Sequence, residues 1–266
     1  MTTFTLSHNT QMVEDIGNEE YVSAMNSYGN NAYMMYGYKT GYPLNSLWGF
    51  VYAGPWHNNE EIERNKYTNT YASVLSQTPG NPKYIDQNKD GIISQEDLVY
   101  LGNSDPIIYG GLQNTFHLGQ WKMSVYLTYS LGGKIYNYAE MFCAGSFATN
   151  QYRYMLDAWH PVRNPNSWYP RAGVDDALPP SSFMVHDASY LRLKTIQISR
   201  TFDLKKTKAF KNMTVSLKGD NLWLWTDYNG YDPDVSTDND GGVLRRVDKG
   251  AYPRSRSFIL GFQFNF

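Results

Sequence analysis

The residues with the clearest chemical pattern lie in one short segment, positions 86 to 97, which reads Asp-Gln-Asn-Lys-Asp-Gly-Ile-Ile-Ser-Gln-Glu-Asp. Oxygen donors stand at its first, third, fifth and twelfth positions and a glycine at the sixth, which is the spacing of an EF-hand calcium loop. This pattern predicts a Ca²⁺ site, the only cofactor that the sequence indicates, with these ligands: Asp86, Asn88, Asp90, the carbonyl of Ile92, and Asp97. The alternative is a turn rich in Asp and Asn that holds no metal, because the closing acid is the shorter aspartate and no flanking helices are evident.

Other residues that could take part in catalysis are not arranged for it. The histidines have no metal-ligand spacing, and Cys143 is the only cysteine. Neither a Gly-x-Ser-x-Gly elbow nor a phosphate-binding glycine loop occurs. Asp175 and Asp176 are adjacent in a loop, which does not define the acid pair of a glycosidase. The sequence therefore predicts that the protein is not an enzyme, and a glycoside hydrolase is the weakest alternative.

Aromatic residues concentrate in two long segments, residues 145 to 189 and 226 to 253. Flat rings beside Asn and Asp suit sugar or peptide ligands. We therefore predict these ligand-facing residues in the loops: Trp159, Trp168, Tyr228, Tyr231 and Asp232. For each single residue the alternative is equally open, because Trp and Tyr also form interfacial belts or pack loops together.

The elements that position these loops are predicted to be β-strands. Phe258, Leu260, Phe262, Phe264 and Phe266 recur at every second position, so they share one side of an extended chain. The other side is polar except for one isoleucine. A strand with one apolar face, one polar face and a terminal aromatic is typical of a transmembrane β-barrel, and the alternative is an edge strand of a soluble sandwich.

The same alternation recurs along the chain, including the first residues around Phe4 and Leu6. It predicts antiparallel strands, with sequential neighbours paired, near residues 107–118, 121–134, 190–202, 212–224 and 254–266. A change of phase between Leu193 and Ile196 predicts a β-bulge. The apolar stripe predicted to face outward comprises Trp121, Met123, Val125, Leu127, Met213, Val215, Leu217, Phe258, Leu260, Phe262 and Phe264.

Composition and the first residues limit the classes of protein further. A formal net charge of -2 argues against a general nucleic-acid binder. No run of ~18 apolar residues exists, so no membrane-spanning helix is predicted, although strands that alternate are not subject to that test. The first seven residues have neither the basic start nor the apolar core of a secretory signal.

Several motifs in a fixed order give a resemblance to a known family. They are Leu-Arg-Leu-Lys at 191–194, Gly-Asp-Asn-Leu at 219–222, Tyr-Asn-Gly-Tyr-Asp-Pro-Asp at 228–234, Tyr-Pro at 252–253 and Phe-Ile-Leu-Gly at 258–261. Together they resemble the C-terminal part of a SusC/RagA-type TonB-dependent outer-membrane transporter, with Asp234 in place of the family's glutamate. The match covers about residues 40 to 266.

The resemblance implies an all-β fold: a segment of an antiparallel transmembrane β-barrel with long extracellular loops and short periplasmic turns. It implies import of glycan or peptide nutrients through the outer membrane of a Gram-negative bacterium. The implied partners are a SusD-like surface lipoprotein, the TonB complex, the lipid bilayer and the outer-membrane assembly machinery. That machinery would read the final strand, so the expected assembly signal comprises Phe258, Leu260, Phe262, Phe264 and Phe266.

Residues 1–266 are expected to be one C-terminal barrel portion, with the family's signal peptide, TonB box and plug domain absent. An alternative of another class is a secreted, calcium-stabilised β-sandwich that binds carbohydrate. The two differ at the apolar stripe, which a sandwich covers with a second sheet and a barrel leaves for lipid.

Overall fold

The computed structural model describes residues 1–18, 22–23, 36–69, 76–145, 149–173, 178–204, 209–237 and 245–266. In chain order its first elements are β1 (Thr2–Ser7), β2 (Val22–Ser23), β3 (Gly37–Tyr38), β4 (Ser46–Gly49), β5 (Tyr52–Pro55), α1 (Asn59–Asn65), β6 (Thr68–Asn69), β7 (Pro82–Tyr84), β8 (Ile92–Ile93), a 3-10 turn (Gln95–Asp97) and β9 (Val99–Asn103). The remaining elements are β10 (Ile108–Leu118), β11 (Trp121–Leu131), β12 (Lys134–Asn137), α2 (Glu140–Cys143), 3-10 turns at Arg153–Asp157 and Ser182–Met184, β13 (Val185–Asp187), β14 (Tyr190–Asp203), β15 (Asn212–Thr226), β16 (Val247–Asp248) and β17 (Ser257–Asn265). Among these residues no helix is long and apolar enough to cross a membrane.

One large antiparallel sheet dominates the described part of the chain. Its six strands lie in the order β1-β10-β11-β14-β15-β17, so each long strand pairs with the next long strand in sequence. The five predicted strands and their sequential antiparallel pairing are confirmed, with bounds that differ by a few residues. The period-two alternation is a reliable signal here because every long strand has one apolar and one polar face.

The apolar side chains form one continuous face across the sheet. Leu217 on β15 lies opposite Ile198 on β14 and Leu260 on β17, and β11 presents Met123 opposite Ile198 in the same way. This face is not covered: Phe258 is 72% exposed and Leu260 60%. No member of the predicted outward stripe is buried. The β-sandwich alternative is therefore wrong, because no second sheet in the described residues packs on this face.

The pairing is irregular at two places near the centre of the sheet, between β11 and β14 and between β14 and β15. The pairing of β14 shifts register between Leu193 and Thr195, with matching shifts on β11 and β15. The predicted bulge is thus confirmed. On β15 two residues, Asn221 and Leu222, stand opposite Lys194 alone. The φ of Asn221 is 52°, a left-handed conformation that asparagine tolerates better than most residues. Bulges of this kind increase the local twist and redirect side chains.

The connections separate into short turns at one end of the sheet and long segments at the other. β10 and β11 are joined by Gly119 and Gln120 alone, with Gly119 at a φ of 59°. β14 and β15 are joined by residues 204–211 at the same end. The links from β1 to β10, from β11 to β14 and from β15 to β17 all leave the opposite end. This agrees with the predicted alternation of short and long connections.

The buried core of the described chain lies in the long connections and not on the sheet. One cluster packs around Tyr36, Leu47, Tyr136, Met184 and Val247, and these residues come from three separate long connections. A second cluster, built around Phe50, Trp56 and Ile93, lies within residues 50–93. We refer to residues 36–107, 132–189 and 227–256, where described, as the loop layer. Its short strands pair in twos and threes beside the large sheet.

Candidate functional site

The polar face of the sheet is concave and forms a groove of about 880 Å³ near the short turns. Its walls are hydroxyl and amide side chains with few charges, and they come from every long strand except β1. The main lining residues are Gln113, Thr115, His117, Lys122, Ser124, Gln197, Ser199, Thr201, Thr214, Ser216 and Gln263.

Neighbouring strands link these polar groups in pairs. The hydroxyls of Thr201 and Thr214 are 2.9 Å apart, and those of Thr115 and Ser124 are 3.3 Å apart. Each hydroxyl can donate once and accept twice, so pairing leaves hydrogen-bonding capacity unused. The groove can therefore bind uncharged polar ligands or hold ordered water.

At the loop end of the same face, an ion-pair network fastens the loop layer to the sheet. Nη2 of Arg192 on β14 donates to Oδ1 of Asp232 at 2.5 Å, and both side chains are buried. Arg254 bridges the same aspartate at 3.5 Å and Asp234 at 2.8 Å. Because the pair is shielded from water, removing one partner leaves an uncompensated charge.

A second polar cluster joins two segments of the loop layer, residues 132–189 and 227–256, where the ring centroids of His186 and Tyr228 are 5.9 Å apart. Nε2 of His186 lies 2.5 Å from Oε2 of the buried Glu140, and the Tyr154 hydroxyl donates to Oε1 of that glutamate at 3.0 Å. The Tyr228 hydroxyl donates to Asp248 at 2.7 Å. Burial is the larger cause, and this hydrogen bond to a carboxylate the next, that raises the pKa of Tyr228 well above its ordinary value. The cluster thus holds a neutral tyrosine against a buried acid.

Three of the five predicted ligand-facing residues are buried. Tyr228 is 5% exposed and Asp232 is 2% exposed, each bound as described above. Trp159 is 8% exposed and packs against Gly80, where an added Cβ would lie 2.6 Å from the indole. In this structure these three side chains pack and fasten the loop layer, and their contact with a ligand stays a prediction. The sequence does not distinguish buried from exposed aromatic residues here, because Trp and Tyr both pack in cores and contact ligands.

Trp168 and Tyr231 are exposed on the loop layer, at 56% and 68%. The rings of Trp168 and Tyr52 pack in a T-shaped arrangement with 5.2 Å between ring centroids, and Tyr52 thus holds the exposed Trp168 in place. For these two residues, contact with a ligand stays a prediction.

The segment predicted to bind calcium folds as a tight loop. Asp86 accepts the backbone N–H of Lys89 at 2.7 Å and that of Gly91 at 2.8 Å, and Asp90 accepts that of Ile92. Asp97 is fully buried and accepts the N–H groups of Gln87 and Ser94, each at 2.7 Å. In the described residues no group of three His, Cys, Asp or Glu side chains is close enough to hold a metal ion. The Ca²⁺ site stays a prediction.

Sequence reasoning missed the Arg192–Asp232 pair. The alternation of β14 placed Arg192 between two outward leucines and so on the polar face, which was the available signal. Its partner is 40 positions away in a long loop, and no periodicity connects them.

Comparison with known proteins gives a consistent set of relatives. No family model matches the sequence. TonB-dependent receptor P26 of Formosa agariphila is 32% identical over 99% of this chain and 27% of that receptor. The TonB-dependent receptor SusC of Bacteroides thetaiotaomicron is 24% identical over 98% of this chain and 24% of SusC. The solved RagAB peptide transporter superposes with a TM-score of 0.72 and 21% identity, over 100% of this chain and 27% of the matched chain.

The architecture defines a mostly-β protein built on one large amphipathic antiparallel sheet. The chain is homologous to a part of the TonB-dependent receptors, the family that includes SusC, and the resemblance given by its motifs is confirmed. It spans about a quarter of the length of the curated relatives that it matches. The names of these relatives, two receptors and a peptide transporter, agree with the predicted class of transport protein.

Proposed function

We propose that this chain forms part of the membrane-spanning wall of an outer-membrane importer of glycan or peptide nutrients in a Gram-negative bacterium. The observation that carries the proposal is the division of the sheet into an exposed apolar face and a concave polar face. In a transmembrane β-barrel the first face contacts lipid and the second lines the lumen. An exposed apolar surface of this extent is otherwise unusual for a soluble protein.

Aromatic rings at both ends of the apolar face support this orientation. Trp121 lies beside the short turn, and the guanidinium of Arg200 lies over its ring at 5.1 Å. Trp223 and Trp225 lie near the loop end of β15, at 54% and 49% exposure. Girdles of aromatic residues at the two interfaces are a feature of outer-membrane barrels. The loop layer would then lie outside the cell and the short turns in the periplasm.

The polar groove is suited to the proposed cargo. Hydroxyl and amide side chains hydrogen-bond to sugars and to peptide backbones without requiring a charge on the ligand. The loop layer adds the exposed rings of Trp168 and Tyr231 as places for first contact. A SusD-like surface lipoprotein over this layer, and the TonB complex on the periplasmic side, complete the proposed importer.

A matched pair of variants tests the membrane orientation. Ser216 and Leu217 are neighbours on β15 and point to opposite faces of the sheet. Leu217→Arg places a charge in lipid, at a cost of ~2–4 kcal/mol near the bilayer midplane, whereas Ser216→Arg places it in the lumen. In the full-length protein that carries this sequence, we expect only Leu217→Arg to reduce the folded protein recovered from outer membranes. Equal recovery of the two variants would refute the orientation.

Import itself is tested separately. Cells that depend on a labelled oligopeptide or oligosaccharide should lose its uptake when the gene is deleted and regain it with the wild-type gene. Uptake that is unchanged after deletion, for every glycan and peptide pool on which the cells grow, would contradict the proposed function.

A further inference from the structure

A second cavity, of about 490 Å³, lies between the loop end of the polar face and the loop layer. Tyr109, Ser130 and Tyr190 line it from the sheet, and Asp234, Arg245 and Arg246 line it from the loop layer. It differs from the groove at the short turns because two arginines, two aspartates and three tyrosines line it beside hydroxyl and amide side chains. Its volume is in the range of sites for small ligands.

Arg246 has an unusual environment in this cavity. Its backbone has a φ of 56°, a left-handed conformation that costs free energy for a residue with a long side chain. Its Nη2 donates to the hydroxyl of the buried Ser130 at 2.8 Å, while its Nη1 is buried without an acceptor among the described residues. Burial lowers the pKa of the Arg246 guanidinium, although Tyr190, Asp234, Asp105 and Asp187 face it and act in the opposite direction.

The acids near Arg246 are already engaged by other groups. Asp234 is bound to Arg254 at 2.8 Å. Asp105 accepts from the Asn45 amide at 2.6 Å and from Arg245 at 3.4 Å.

Asp187 pairs with Lys134 at 3.6 Å. The charged residues that line the cavity are Arg245, Arg246, Asp105 and Asp234. Asp105 pairs with Arg245 and Asp234 with Arg254, so among the described residues Arg246 has no carboxylate partner of its own.

We infer that this cavity binds the carboxylate of a ligand, with Arg246 as the anchoring cation and the rings of Tyr109 and Tyr190 as walls. The guanidinium is held at the wall by Ser130 and by contact with Gly133, where an added Cβ would be 2.9 Å from Nη1. A cation fixed in this way loses little side-chain entropy on binding an anion. The inference rests on the proposed import function for the origin of the ligand, and it assigns that ligand to a carboxylate-bearing class.

Two sources offer such a carboxylate: the C-terminus of a peptide and the acid group of a uronic-acid sugar. Both place a flat or extended body beside the charge, which the tyrosine walls can contact. Arginine is suited to either, because its planar fork can donate two parallel hydrogen bonds to one carboxylate.

Calorimetry on the full-length protein that carries this sequence, purified in detergent, tests the inference. The probes are acetyl-trialanine with a free C-terminus, the same peptide as its C-terminal amide, a glucuronate disaccharide and its methyl ester. We expect at least one acid to bind roughly tenfold or more tightly than its neutral partner, a difference that the lost charge-assisted hydrogen bonds can supply. The acid that shows this preference identifies the source.

Arg246→Gln keeps a long side chain and removes the charge, so it should abolish the preference for the acid. Arg246→Lys should retain part of it. Arg64→Gln on α1, which removes an exposed charge far from the cavity, should leave it unchanged.

Equal affinity of wild-type protein for acid and neutral probes would overturn the inference even if an Arg246 variant failed to fold. A preference that survives in folded Arg246→Gln would overturn it as well. Neither result affects the Leu217→Arg and Ser216→Arg comparison, so failure of this site is distinguishable from failure of the proposed function.

Discussion

Arg192 and Asp232 form a buried ion pair with 2.5 Å between Nη2 and Oδ1. The pair joins β14 of the large sheet to the segment of the loop layer that follows β15. The two side chains are 5% and 3% exposed, so water does not screen the pair. Arg192 also lies over the ring of Tyr190, with 5.3 Å between its guanidinium carbon and the ring centroid. The pair holds the loop that contributes Asp234 to the carboxylate cavity.

We predict that Asp232→Ala destabilises the folded protein by about 3–5 kcal/mol, because it leaves the Arg192 guanidinium buried without its counter-charge. The measurement is urea unfolding followed by tryptophan fluorescence. The double variant Arg192→Met/Asp232→Leu removes both charges and should recover most of the stability. A double variant as unstable as the single one would show that shape, and not charge, fixes this loop.

Gly110 on β10 is predicted to be essential for the pairing of β1. A Cβ at this position would lie 2.0 Å from the Thr5 carbonyl oxygen, which is backbone and cannot rotate away. Gly110→Ala should therefore separate β1 from β10 and speed hydrogen–deuterium exchange of residues 2–7. Gly261→Ala is the matched control, because its Cβ would meet only the Ser216 hydroxyl, which can turn. Unchanged exchange in Gly110→Ala would contradict the close approach.

Calcium binding by the loop at residues 86–97 is tested by titrating Ca²⁺ alone into the full-length protein. If the loop binds calcium, Asp90→Ala should abolish the heat, because Asp90 supplies a side-chain oxygen at the fifth loop position. Glu63→Ala, an exposed acid on α1, should leave it unchanged. Absence of heat with wild-type protein, or the same heat in Asp90→Ala, would show that the loop is held by its internal hydrogen bonds alone.

The sheet could be predicted from the sequence because each long strand carries its own signal. In β17 the four alternate apolar residues determine which face is outward, and the change of phase after Leu193 locates the bulge. The loop layer could not be predicted in the same way. Its core brings together Tyr36, Tyr136 and Val247 from separate segments, and such contacts depend on tertiary packing that no local period records.

The candidate site likewise has one part that the sequence predicts and one part that it does not. The polar face followed from alternation, so the groove was implicit in the strand prediction. The carboxylate cavity was not, because Arg246 follows a segment without periodicity and its left-handed backbone has no glycine or asparagine to signal it. Likewise, Tyr228 and Tyr231 belong to one motif, yet one is buried and the other exposed.

The final strand leads to a prediction about assembly in the membrane. Phe266 is 80% exposed, and its ring packs against that of Phe210, which precedes β15, with 5.0 Å between ring centroids. An exposed aromatic at the end of an alternating strand offers both an anchor at the membrane boundary and an edge for β-augmentation by an assembly factor. In the full-length protein, Phe266→Ala should therefore lower the amount of folded protein in the outer membrane.

Phe210→Ala is the control that separates recognition from packing. It removes the same ring contact, and the one with Phe264 at 5.2 Å, while leaving the final strand intact. If Phe266 acts as an assembly signal, Phe266→Ala reduces heat-modifiable, surface-labelled protein and Phe210→Ala does not. Affinity for the carboxylate ligand in the fraction that folds should be unchanged, because its cavity lies at the opposite end of the sheet. Equal losses in the two variants would reduce the role of Phe266 to the packing of one ring pair.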